Sequence, residues 1–174
     1  MFDPTIYENL KVVLEGDIYD LDFAEKIEVT NRRDLIDLAT MSRQYSIQYQ
    51  IRECIHTYPY AEITLRSELE DFAIEKIEGN EYKAGCYVEV EFVTEIFREQ
   101  DCDYIQKYLL KLWDHRPLIN QKIYYTYGHE SQVFCKIQLN FTRKINEEQV
   151  DDIQKVVHYS LSSLEFFHNK YRKA

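Results

Sequence analysis

Residues 133–141 change the chain's hydrophobic rhythm within a few positions. In Val133-Phe134-Cys135-Lys136-Ile137-Gln138-Leu139-Asn140-Phe141 every odd position is apolar, and every even position except Phe134 is polar. A period of two places Val133, Cys135, Ile137, Leu139 and Phe141 on one face of a strand. After a short connection, Val150, Ile153, Val157, Ser160, Leu164, Phe167 and Tyr171 recur at alternating spacings of three and four. That spacing is one stripe along a helix. Asn146 followed by Gln149 is a capping-box pattern, and Ile145 with Val150 fits a hydrophobic staple. Acids at 147, 148, 151 and 152 suit the positive end of the helix dipole, and the basic Lys170, Arg172 and Lys173 suit the negative end. A strand of about 12 residues spans ~40 Å, and a helix of about 26 residues spans ~39 Å. The helix is therefore expected to fold back over the sheet. A coiled-coil seam is the alternative, but the apolar strand face needs a cover.

Upstream, Lys122-Ile123-Tyr124-Tyr125-Thr126-Tyr127 also alternates. It predicts a strand over 122–127, with Gly128-His129-Glu130-Ser131 as the hairpin loop to 133–141. Residues 86–97 predict a strong strand with Cys86, Val88, Val90 and Phe92 facing one way. Between them, Asp101 or Asp103 caps a helix carrying Ile105, Tyr108, Leu109 and Leu112, with Trp113 widening its buried face and Arg116-Pro117 stopping it. The second half reads β-α-β-β-α, an order that resembles part of a ferredoxin-like split β-α-β unit.

In the first half, Asp3-Pro4 opens a helix over 4–15 with Gly16 at its C-terminal end. Residues 17–23 predict a short strand, as do 27–30. Residues 31–42 are ambiguous between helix and strand: Leu35, Ile36, Leu38 and Ala39 fit a helix, but the segment is short. Residues 44–52 alternate as a half-buried strand, and 61–66 follow as another. Residues 68–78 lean to helix, against a hairpin turning at Gly79-Asn80. The expected fold is α+β: one globular domain over 1–174, with a mainly antiparallel sheet covered by amphipathic helices and a long C-terminal helix.

Composition narrows the function more by exclusion than by indication. Three prolines, four glycines and no low-complexity run argue against extended disorder. No apolar run is long enough to span a membrane, and no basic segment followed by an apolar core opens the chain, so a soluble cytoplasmic protein is expected. Cys54, Cys86, Cys102 and Cys135 are 32, 16 and 33 residues apart, which matches no zinc or redox motif. They read as small core residues. Nucleotide-loop, nucleophile-elbow and zinc-protease motifs are absent, so neither a catalytic residue, a metal nor a cofactor is called for.

The net charge of −10 opposes contact with nucleic-acid backbones. It is unevenly spread: residues 1–100 hold 10 Lys and Arg against 22 Asp and Glu, and residues 101–174 hold 11 against 9. The 15 tyrosines are the unusual feature. Tyrosine joins an apolar ring to a polar tip and suits half-buried sheets and interfaces. These features lead to an expected protein-interaction module that associates with itself as a homodimer. The alternatives are a small-molecule binder or enzyme with a pocket near the hairpin end, and then a single-strand nucleic-acid binder. Tyr124, Tyr125, Tyr127, His129 and Glu130 are the candidate ligand or interface residues.

Overall fold

The computed structural model describes residues 4–78 and 83–171. Helix α1 (Thr5–Phe23) is followed by strands β1 (Ile27–Asp37), β2 (Ser42–Ile51) and β3 (Tyr60–Ser67). A short helix α2 (Leu69–Ala73) runs into a wider helical turn, Ile74–Glu78. Then come β4 (Tyr87–Ile96), α3 (Gln100–Leu112), β5 (Leu118–Tyr124), β6 (Val133–Asn140) and α4 (Val150–Tyr171). The strands form one six-stranded sheet in the order β1-β2-β3-β4-β6-β5, with every neighbouring pair antiparallel. Since β6 is antiparallel to both β4 and β5, those two run parallel with β6 between them. This is the split β-α-β arrangement that the second half resembled. The α+β class, the antiparallel sheet and the long C-terminal helix all stand as expected.

The helices cover one face. Helix α4 touches β2, β3 and β4, and α1 packs beside it and reaches β1 and β3. Helix α3 meets α4 and β5. Alternate residues of the central strands point into this layer: Tyr45, Ile47 and Tyr49 from β2, Ile63 and Leu65 from β3, Val88, Val90 and Phe92 from β4, Cys135, Ile137 and Leu139 from β6. The predicted α4 stripe meets them, with Ile153, Val157, Ser160, Leu164, Phe167 and Tyr171 buried. Core packing, rather than a coiled-coil seam, accounts for it. Asn146 and Gln149 form the expected capping box, opening the helix through a tight turn at Glu147–Gln149.

Three local expectations are corrected. Gly16 does not end α1, because Leu10, Leu14 and Ile18 continue the buried stripe past it. Burial of Ile18 outweighs the roughly 1 kcal/mol that an interior glycine costs. The strand expected at 17–23 is the rest of that helix. The strand expected at 122–127 starts four residues earlier, directly after Pro117, and ends at Tyr124. Residues 31–37, ambiguous between helix and strand, continue β1. Helix α2 confirms the lean to helix at 68–78, with its cap at Glu68 and Asp71. The expected cap at Asp3, the alternative turn at Gly79-Asn80 and the basic Arg172 and Lys173 lie outside the described residues.

A one-residue bulge between Val29 and Asn31 changes which side chains of β1 face the helices. Past it, Arg32 and Asp34 turn toward α1. Arg32 binds Glu15 at 3.0 Å, and Asp34 accepts from Lys11 at 2.8 Å. Arg43 on β2 joins both Asp34 and Glu8, at 3.3 and 2.9 Å, and lies over the Tyr7 ring. The α1–β1 seam is thus apolar toward the middle of the sheet and ionic toward its edge.

Candidate interaction edge at β5

Strands β1 and β5 are the sheet's two edges, and they differ in protection. An open edge offers unpaired backbone donors and acceptors to another chain, and bulges or charges normally blunt it. β1 has its bulge and the charged run Arg32-Arg33-Asp34. β5 pairs over Leu118–Tyr124 with β6 in unbroken register and carries a single charge, Lys122. Its apolar side chains are open to solvent: Leu118 is 65% and Ile123 43% exposed.

The strand is held from behind. The Gln121 amide donates to the Cys102 carbonyl and to Gln106 Oε1, both at 3.0 Å, fixing the middle of β5 to α3. Cys135 Sγ in turn donates to Gln121 Oε1 at 3.5 Å. Before the strand, Asp114 and His115 adopt left-handed backbone angles that turn the chain out of α3, and Pro117 is buried at the strand's start.

On the sheet face away from the helices, the hairpin end of β5 joins an aromatic group. The ring of Tyr124 stacks on Phe134 at 5.7 Å, Phe134 meets Tyr58 at 4.5 Å, and Tyr58 stacks on Tyr60 at 5.7 Å. Phe134, the apolar exception in its strand's alternation, is the hub of this group. Burial, with the neighbouring Tyr58 and Glu91, pushes the Tyr124 phenol up to about 12, so it remains a hydrogen-bond donor at neutral pH. Lys122 lies across from Lys136. The Lys136 ammonium is held by Glu91 at 2.8 Å, which lowers the cost of the two like charges.

Of the five residues singled out in the sequence, only Tyr124 packs into this group. Tyr125 is 58% and Tyr127 93% exposed on the connection beyond the strand. His129 is exposed in a turn, where its N–H donates to the Thr126 carbonyl at 2.8 Å. Gly128, at φ 83°, makes that turn possible. Glu130 Oε1 accepts from the Gly128 N–H at 2.9 Å, and the turn's N–H groups hold its carboxyl below the ordinary range. Glu130 is thus engaged in shaping the loop. The cleft at this end of the sheet, about 320 Å³, is lined by His56, Tyr58, Glu95, Phe134 and Tyr171 and by none of the five.

Among the described residues no helix is long and apolar enough to cross a membrane, and no group of three or more His, Cys, Asp or Glu side chains is placed to hold a metal ion. No protein-family model, no curated protein and no solved structure matches the chain.

The sequence reading missed Leu118 and Ile119 as the start of the edge strand. Their signal was the apolar pair directly after Arg116-Pro117, where a chain leaving a helix cannot continue it.

Proposed function

We propose that this protein is an interaction module that binds a second copy of itself through β5, joining the two sheets edge to edge. The observation that carries this reading is the self-complementarity of Leu118-Ile119-Asn120-Gln121-Lys122-Ile123-Tyr124. When two such strands pair antiparallel about Gln121, Ile119 faces Ile123 of the other copy, Leu118 faces Tyr124, and Asn120 faces Lys122. Apolar positions meet apolar or aromatic ones, and the only charge meets an amide. A two-fold axis of this kind uses the same patch on both copies and closes the assembly at two. Strand addition at an open edge draws its affinity from main-chain hydrogen bonds and its specificity from the alternating side chains.

Light scattering at roughly 100 μM protein, a concentration suited to weak specific association, should give twice the monomer mass. Ile123→Lys places a charge against Ile119 of the other copy and should return the protein to monomer with its melting temperature little changed. Leu38→Lys, in the exposed turn after β1, should leave the mass doubled. A wild-type protein that stays monomeric at that concentration would sink the proposal, as would an Ile123→Lys variant that still dimerises.

A further inference from the structure

A cavity lies beyond the start of β5, where the end of α3, the segment after β6 and the first turns of α4 converge. Its volume is about 610 Å³, within the ~300–1,000 Å³ usual for small-molecule pockets. The innermost wall is Trp113, 3% exposed, with the buried Ile145 and Val156 beside it. Phe141 and Tyr159 flank the indole, each with its ring centre 5.5 Å from it and its plane inclined at 51°. The indole cannot swing freely, because Trp113 Nε1 donates to Ser163 Oγ at 3.0 Å and Ser163 donates onward to the Tyr159 carbonyl at 2.7 Å. The aromatic walls are therefore set before any ligand arrives, which limits the ordering cost of binding.

The rim has the opposite sign to the molecule. Arg116, Arg143 and Lys155 line the cavity with only Asp114 and Asp152, in a chain of net charge −10. One carboxylate serves two of the cations: Asp152 binds Arg143 and also Lys155, the latter at 2.9 Å. Arg116 meets Asp114 through Nε at 3.7 Å with both side chains largely exposed, a loose pair that a planar anion can displace. A cationic rim around an aromatic interior fits a ligand that buries a flat ring and keeps its negative charge at the mouth.

From this arrangement we infer that the cavity is a binding site for a small molecule that combines a planar aromatic or heteroaromatic ring with a carboxylate or phosphate. The ring packs on the half-buried Phe141 and Tyr159, with Trp113 buried behind them. The anion meets Arg116, with Arg143 and Lys155 beside it. A polyanion such as RNA is disfavoured, because three rim cations cannot offset the repulsion from the rest of the surface. The site uses no part of the β5 edge and stands or falls separately from the self-association proposed above.

Trp113 is the only tryptophan in the chain, so its emission reports directly on the cavity. Adenosine monophosphate and 4-hydroxybenzoate, one phosphate and one carboxylate, serve as probes. Adenosine and inorganic phosphate are the matched halves of the first. A saturable change in Trp113 emission together with a raised melting temperature is expected for one or both ring-bearing anions, and the one that responds identifies the anion class. Adenosine and inorganic phosphate should each be at least tenfold weaker than adenosine monophosphate if the phosphate arm responds. Arg116→Gln, on an exposed rim side chain, should weaken the responding probe about tenfold without altering the melting temperature of the free protein. Failure of both probes up to about 5 mM, beyond the millimolar range of weak specific binding, would overturn the inference. So would an unchanged affinity in Arg116→Gln.

Discussion

Tyr49 and Ser160 are both fully buried, and the Tyr49 hydroxyl donates to Ser160 Oγ at 2.6 Å between the sheet and α4. This contact explains a serine inside an otherwise apolar helix stripe: a small side chain leaves room for the tyrosine ring and supplies its acceptor. Tyr49→Phe removes the donor while retaining the ring, and should lower the unfolding free energy by about 1–2 kcal/mol, measured by urea denaturation. The cysteines give a second test at this scale. Burial pushes the Cys86 thiol up to about 12, and burial also raises Cys135, which has Cys102 beside it with the sulfurs 3.8 Å apart. A thiolate is the reactive form, so Cys86 and Cys135 should resist a disulfide-exchange reagent at pH 8 in the folded protein. They should react promptly once it is unfolded in urea, and rapid labelling of all four thiols in the native state would contradict the burial seen here.

The seam between α1 and β1 should be the acid-sensitive joint among the elements. Burial disfavours the Asp34 carboxylate, but hydrogen bonds from Lys11 and Arg43 outweigh it and hold its carboxyl below the ordinary range. A carboxyl with a lower value in the folded than in the unfolded state stabilises the fold at pH values above the unfolded one, about 3.9. That contribution disappears as the pH falls through the folded value. Stability should therefore decline as the pH falls from about 5 through the unfolded value and below it, and Asp34→Asn should flatten part of the decline. At neutral pH the cost of Asp34→Asn should be about 1 kcal/mol or less, because Asp34 is partly open to solvent and exposed pairs are screened. Chemical denaturation across pH, followed for both proteins, checks the slope and the offset together.

The elements also show which parts of the fold were legible. The β6 and α4 patterns were readable because each has one face buried along its whole length, so the period appears undiluted. Helix α1 was cut short because Gly16 looked like a terminator, whereas Ile18 still reaches the core. β5 was displaced because Tyr125 and Tyr127 extend an alternating pattern into an exposed connection that no neighbour pairs with. An edge strand buries little, so little in its composition marks its true start. The bulge in β1 was hidden for a related reason: it brings charged residues, rather than apolar ones, to the helix side. The Trp113 cavity could not be assembled in advance. Its lining comes from residues 113–116, 141–145 and 152–159, and only the folded β4-β6-β5 order brings them together.

For the whole molecule, acidity opposes the association proposed at β5. Two copies brought together there would each carry a net charge of −10, while the edge itself presents Lys122 alone. Long-range repulsion should therefore weaken the dimer in dilute buffer, and salt that shortens the Debye length to about 8 Å should strengthen it. Sedimentation equilibrium at roughly 20 and 150 mM salt reads the sign, extending the Ile123→Lys test. Binding of an anion at the Trp113 cavity should weaken with salt instead, which separates the two surfaces in a single titration series.

The α1–α4 contact matters for synthesis as well as for the finished fold. α1 and α4 lie side by side over the middle of the sheet, although one precedes every strand and the other follows them all. A nascent chain that has already released β1 to β4 holds Ile47, Ile63, Val90 and Phe92 on a face that α1 alone cannot cover. That face closes only after the β5–β6 hairpin has docked on β4 and Val150–Tyr171 has left the ribosome, so chains stalled before Val150 would be prime clients for chaperones.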